Sequence, residues 1–187
     1  MKAPMIPADP ARMLATLDHL RTIGGVGPGE GNVIGFSGGG GVVVASGSAG
    51  SNEIRGNAIF ANGGLGIDLG NDGVTANDLG DADLGPNGLQ NFPTVSQVVY
   101  GESTQIAGTL HSLANGDFDI DFYASDVMDP STYGEGQRYL GSVTVTTDND
   151  GNATFDTTLV GVATQIGAVN SPARKTCGTS WRCSWPA

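Results

Sequence analysis

Apolar positions in this chain follow two rhythms. Between residues 22 and 70 they fall in short triplets: Asn32-Val33-Ile34, Val42-Val43-Val44, Asn52-Glu53-Ile54, Asn57-Ala58-Ile59 and Ile67-Asp68-Leu69, with Gly, Asn and Ser between them. Each triplet suits a short strand, and each gap reads as a turn. Ile34 and Ile54 stand 20 residues apart, and Val43 and Ile67 stand 24 apart, close to the length of one coil in a solenoid of stacked parallel strands. In such a stack like residues lie over like, so Ile and Val fill the interior while Asn forms ladders at the corners. The alternative is a glycine-rich loop with scattered hydrophobics.

Beyond residue 93 the rhythm becomes alternation. Strand-like stretches cover 94–99, 103–110, 119–124, 139–146 and 153–159. Phe118, Ile120 and Phe122 share one face, and Asp117, Asp119, Asp121 and Tyr123 share the other. Asp148-Asn149-Asp150-Gly151-Asn152 reads as a hairpin turn, with Gly151 supplying a positive φ. Five strands are fewer than the roughly seven of an immunoglobulin-like sandwich. Before residue 22, Asp9 suits an N-cap, Pro10 suits the first helical position, and Met13, Leu14, Leu17 and Leu20 recur at helical spacing. A short helix is expected there, either capping an exposed solenoid end or foreign to the domain.

The expected fold is therefore all-β: a short right-handed parallel β-helix, then an incomplete Ig-like antiparallel β-sandwich, with a short N-terminal helix. The boundaries fall at 1–21 for the helical segment, 22–70 for the coils, 71–93 for an acidic connector, 94–160 for the sandwich and 161–187 for an irregular tail.

Composition sharpens this. The 31 Gly residues lack the three-residue period of collagen and so serve tight turns. A net charge of −11 would repel a polyphosphate backbone, so nucleic acid is not an expected partner. No apolar run approaches the roughly 18 to 20 residues that cross a bilayer, so no membrane insertion is expected, and residues 1–31 lack the pattern of a signal peptide. Cys177 and Cys183 both sit in the last eleven residues and cannot staple the body. With only His19 and His111 in addition, a zinc site is not expected.

Three stretches carry a resemblance to a known family: Thr22-Ile23-Gly24-Gly25, Pro28-Gly29-Glu30-Gly31-Asn32-Val33-Ile34 and Asn52-Glu53-Ile54-Arg55-Gly56-Asn57-Ala58-Ile59-Phe60. They resemble the parallel β-helix repeats of bacterial extracellular and cell-surface proteins. The segment from Gly63-Gly64-Leu65-Gly66-Ile67-Asp68-Leu69 to Leu89-Gln90-Asn91-Phe92-Pro93 is similar to the end of the helix in that family, where the coil hands over to a sandwich. The resemblance covers about residues 22 to 160, and it implies a location outside the cell or on its surface. The family's closing strand and acidic ending are missing. No Asp or Glu follows Asp156, and Arg174, Lys175, Arg182 and both Trp residues crowd the tail, as a truncated or shifted reading frame would produce.

For chemistry, the connector stands out. Asp68, Asn71, Asp72, Asn77, Asp78, Asp81 and Asp83 lie within sixteen residues, and clustered carboxylate oxygens on a loop suit a six- to eight-coordinate Ca2+ ion. Asp68, Asp72, Asp78, Asp81 and Asp83 are the candidate ligands. The EF-hand spacing is absent, and a solvated acidic turn is the plainer reading. Asp117, Asp119 and Asp121 would stand roughly 6 to 7 Å apart along one strand face, a spacing that permits acid and base roles. Charged residues on a strand face also guard against edge pairing. His111 beside Ser112 has no nucleophile elbow, and the glycine clusters at 24–31 and 38–41 lack the Lys of a phosphate loop. Tyr100, Tyr123, Tyr133 and Tyr139 offer rings that stack on sugars or fill a core.

Two functions remain. One is a non-catalytic surface or adhesive module that binds polysaccharide or cell-surface glycan. The other is a fragment of a β-helix carbohydrate-active enzyme, a polysaccharide lyase or glycoside hydrolase, whose coils should carry clustered charges. Residues 32 to 70 carry only Glu53, Arg55 and Asp68, which favours binding over catalysis.

Overall fold

A computed structural model describes residues 22–48, 51–127, 129, 133 and 135–160, and the backbone of 166–172. The helix expected over 1–21 lies outside the described residues. The fold is all-β. Among the described residues the one helical piece is a 3-10 turn at Pro86–Leu89, and none of the several small sheets closes on itself. No helix of the described residues is long and apolar enough to cross a membrane.

The five triplets fall on five of six short strands: β1 (Thr22–Gly24), β2 (Val33–Gly35), β3 (Val42–Ala45), β4 (Glu53–Arg55), β5 (Ala58–Phe60) and β6 (Ile67–Gly70), with β1 preceding them. They pair in parallel as β1 with β4, β2 with β5 and β3 with β6. The register differs from the spacing inferred above: Ile34 lies beside Ile59 rather than Ile54, which pairs with Ile23, and Val42 rather than Val43 lies beside Ile67. Burial decides the register, because Val44, Ile54, Ile59, Ile67 and Leu69 form one buried column, and a one-residue slip would turn such side chains outward. The offset between paired residues is 25 at Asn32 and Asn57 but 31 at Thr22 and Glu53. The difference lies in one connection: residues 25–32 join β1 to β2, whereas only 56–57 join β4 to β5.

Asparagines satisfy the corners. The Asn57 Oδ1 accepts hydrogen bonds from the Asn32 backbone N–H and side-chain amide, both at 3.0 Å, while its own amide donates to the Ile23 carbonyl at 2.7 Å. Asn87, at the 3-10 turn, serves Asn52 in the same way: its Oδ1 accepts from the Asn52 N–H at 2.8 Å and its amide donates to the Asn52 carbonyl at 2.9 Å. These side chains take the place of backbone ladder partners that turns cannot provide.

The second half holds β7 (Thr94–Tyr100), β8 (Ser103–His111), β9 (Asp117–Ala124), β10 (Arg138–Thr146), β11 (Asn152–Val160) and β12 (Ile166–Pro172). They form two three-stranded antiparallel sheets, β11-β8-β7 and β10-β9-β12. Between them lies one apolar cluster that includes Ile106, Leu110, Phe118, Ile120, Phe122, Val145, Phe155 and Leu159. Two expectations are corrected here. Part of the stretch read as an irregular tail forms β12, which covers the open edge of β9; its Gly, Ala, Asn and Ser content hid the strand. The turn at Asp148–Asn152 is not a hairpin within one sheet, because β10 pairs with β9 and β11 with β8, so it carries the chain from one sheet to the other. Gly151 does supply the positive φ, at 81°.

The polar face of β9 is covered toward its C-terminal end, while Asp117 at its start stays exposed. Asp121 is fully buried and Tyr123 nearly so, because β4 and the turn after it dock against them. Arg55 in β4 donates from Nε and Nη2 to both Asp121 oxygens, at 2.8 and 2.6 Å, and from Nη1 to Asp119 at 2.8 Å. The Asp121 hydrogen bond, above all, holds the Arg55 guanidinium firmly charged. The Gly56 N–H donates to the Tyr123 hydroxyl at 2.8 Å, and the Ile59 N–H donates to the Gly136 carbonyl at 2.7 Å. Outer groups of the second coil therefore find partners in the antiparallel half.

Candidate metal centre in the connector

The connector folds over the rim where the coils meet the antiparallel sheets, and a buried asparagine organises it. The Asn91 Oδ1 accepts from the Asp78 N–H at 2.9 Å, and its amide donates to the Asp78 and His111 carbonyls at 2.8 and 2.9 Å. Its backbone N–H donates to Asp81 Oδ1 at 2.8 Å. The Ser112 hydroxyl donates to Asp81 Oδ2 at 2.5 Å, and the Gly80 N–H donates to His111 Nε2 at 3.0 Å. Gly80 and Asp81 both take positive φ, 74° and 54°, which bends the loop tightly enough to turn Asp78, Asp81 and Asp83 toward one another.

One oxygen from each of these three carboxylates lies within 4.8 Å of the others. Oxygens held by one calcium ion at about 2.3–2.6 Å stand at most about 5 Å apart, so this separation fits a shared coordination sphere. Asp78 Oδ1 and Asp83 Oδ1 are buried with no hydrogen-bond partner, which is costly for a carboxylate oxygen unless a cation meets it. Burial pushes the Asp83 carboxyl above the usual range, and the charges of Asp78 and Asp81 add to the effect. A divalent ion at the centre would oppose both causes.

The other two expected ligands stand apart from this triad. Asp68 lies on β6, where its Oδ2 accepts from the Gly73 N–H at 3.3 Å and its Oδ1 is buried without a partner. Asp72 is exposed, beside Gly70. Both precede the loop bend at Gly80 that gathers the triad. Of the two neutral positions, Asn77 pairs with the Phe92 backbone in both directions, and Asn71 is an exposed turn residue with φ 62°. The carboxylates of β9 are engaged elsewhere: Asp119 and Asp121 hold Arg55, and Asp117 accepts from the Thr146 hydroxyl at 2.7 Å. Arg55, one of the few charges on the coils, is consumed in the same contact.

Sequence reasoning missed Asn91 and Ser112, the residues that hold Asp81. The available signal was an amide and a hydroxyl each followed directly by an apolar residue, Asn91 by Phe92 and Ser112 by Leu113, where ordinary loops expose such groups to water. Comparison with known protein families and with characterised proteins finds no match to this chain.

Proposed function

We propose that the chain is a non-catalytic extracellular or cell-surface module that binds polysaccharide or cell-surface glycan and is stiffened by a calcium ion held by Asp78, Asp81 and Asp83. In this reading residues 22–70 are the closing turns of a right-handed parallel β-helix, 71–93 is the metal-binding connector, and 94–160, completed by β12, is an Ig-like sandwich. The parallel pairing at a repeated offset and the asparagine corners support the first assignment. The two facing antiparallel sheets support the last. The observation that carries the calcium assignment is the convergence of three carboxylates, two of them with a buried, unpartnered oxygen. The carboxylates that could have served catalysis are bound to Arg55 and threonine hydroxyls, which favours a binding role.

Thermal unfolding with and without calcium tests the metal. At a free concentration one hundred times the dissociation constant, binding to the folded state adds about 2.7 kcal/mol, a shift of several degrees in Tm. Asp81→Asn with Asp83→Asn should abolish most of that shift, and magnesium should substitute poorly because it favours a tight octahedral shell. Superimposed unfolding curves in chelator and in millimolar calcium would reduce the connector to a solvated acidic turn.

A further inference from the structure

Beside the carboxylate triad opens a cleft of about 720 Å³, bounded by Ser48 and Ser51, by the connector, and by the 113–116 turn with the first residues of β9. Its volume lies within the usual range of small-ligand sites. Asp81 and Asp83 stand on its wall, so a cation held there would face the cleft, and three carboxylates leave part of a six- to eight-fold shell open on that side. Leu84 and Leu113, 94% and 42% exposed, supply apolar surface, and Asp117 adds another carboxylate. Gln90 also lines the cleft, is 5% exposed, and carries a buried Nε2 with no hydrogen-bond partner.

The geometry points to this cleft as a binding site for a neutral glycan, with sugar hydroxyls completing the calcium shell and accepting a hydrogen bond from Gln90 as its buried amide turns toward the cleft. The inference rests on the calcium reading above and names the ligand class and the place. A ligand here must present an acceptor to Gln90 and donors to Asp83 and Asp117, and a hydroxyl does both. It must also lay carbon–hydrogen surface on Leu84 and Leu113, which the ring faces of a sugar provide. An acidic polysaccharide would meet Asp81, Asp83 and Asp117 in a protein of net charge −11. A cationic peptide side chain would have nothing to offer the Gln90 donor.

Affinity electrophoresis of the full chain in gels containing mannan, dextran, laminarin or galactan tests this, with polygalacturonate and an oligolysine peptide as contrasting probes. At least one neutral polysaccharide should retard the protein in millimolar calcium and lose its effect in chelator. Leu84→Arg and Leu113→Arg change exposed side chains that lie outside the triad, and each should abolish retardation while leaving the calcium-induced shift in Tm intact. Gln90→Met removes the donor and should weaken retardation by up to about tenfold. If calcium raises Tm but no neutral polysaccharide retards the protein, the glycan site falls and the metal site stands. Absence of both effects overturns both. Retardation that survives either arginine substitution, or that polygalacturonate matches, overturns the placement, and binding of oligolysine alone identifies the acidic wall as a cation site.

Discussion

The two halves of the molecule are held together by different means. In the antiparallel half, long strands present alternate side chains to a facing sheet, and the cluster around Ile106, Ile120, Phe122 and Phe155 is closed from both sides. In the coil half, three- and four-residue strands surround a single column built on Val44, Ile54, Ile59, Ile67 and Leu69. The corners depend on asparagine side chains, and the outer groups of the second coil depend on Asp119, Asp121, Tyr123 and Gly136 of the other half. A core that closes on itself confers independent stability, whereas pairs of three- and four-residue strands are stable only as far as something covers them.

The strongest way to break this dependence is Arg55→Ala. It leaves the Asp121 carboxylate buried without its cation, and loss of one partner of such a pair destabilises by about 3–5 kcal/mol. Hydrogen exchange should show the coil amides losing protection while those of β8 and β11 retain it. Equal loss in both halves would mean that they form one cooperative unit. The Asn57→Ala replacement is smaller and confined to the coils. It removes the acceptor for Asn32 and the donor to Ile23, for about 1–3 kcal/mol by urea unfolding. An effect below 0.5 kcal/mol would show that water replaces the ladder freely.

The smallest effect concerns pH. Because the folded state raises the Asp83 pKa, the metal-free protein binds that proton more readily than the unfolded chain does. Asp83 therefore contributes stability that is present at pH below its unfolded value and lost as pH rises through its folded one. Asp83→Asn should remove this component, seen as the difference between the two stability curves. Calcium should reverse the sign of that difference, since the ion competes with the proton. Parallel curves for the two proteins, in chelator and in calcium alike, would place Asp83 in solvent.

Periodicity revealed much of this fold because the residues that carried it were buried. Phe118, Ile120 and Phe122 alternate in sequence and are buried together, and the five triplets fall on five of the six short strands. Register was harder to read, since Ile34 could face Ile54 or Ile59 and only packing distinguishes them. The Arg55 junction was illegible, because Asp121 looks like any outward-facing residue of an alternating strand until a second element covers it. Of the five candidate ligands, composition could identify an acidic connector, but the choice of Asp78, Asp81 and Asp83 depends on the bend at Gly80 and on the buried Asn91.

The unequal corners of the two coils have a practical consequence. The longer connection, residues 25–32, leaves the coil between β1 and β2 and returns without altering the 25-residue offset at the other two pairings. At its tip Gly29 has φ 81° and open space around it, and lengthening a surface loop adds only about 0.6 kcal/mol per doubling. This corner can therefore serve as a graft point: an epitope or affinity peptide inserted between Pro28 and Gly29 would be presented outward while the pairings at β2 and β3 retain their register.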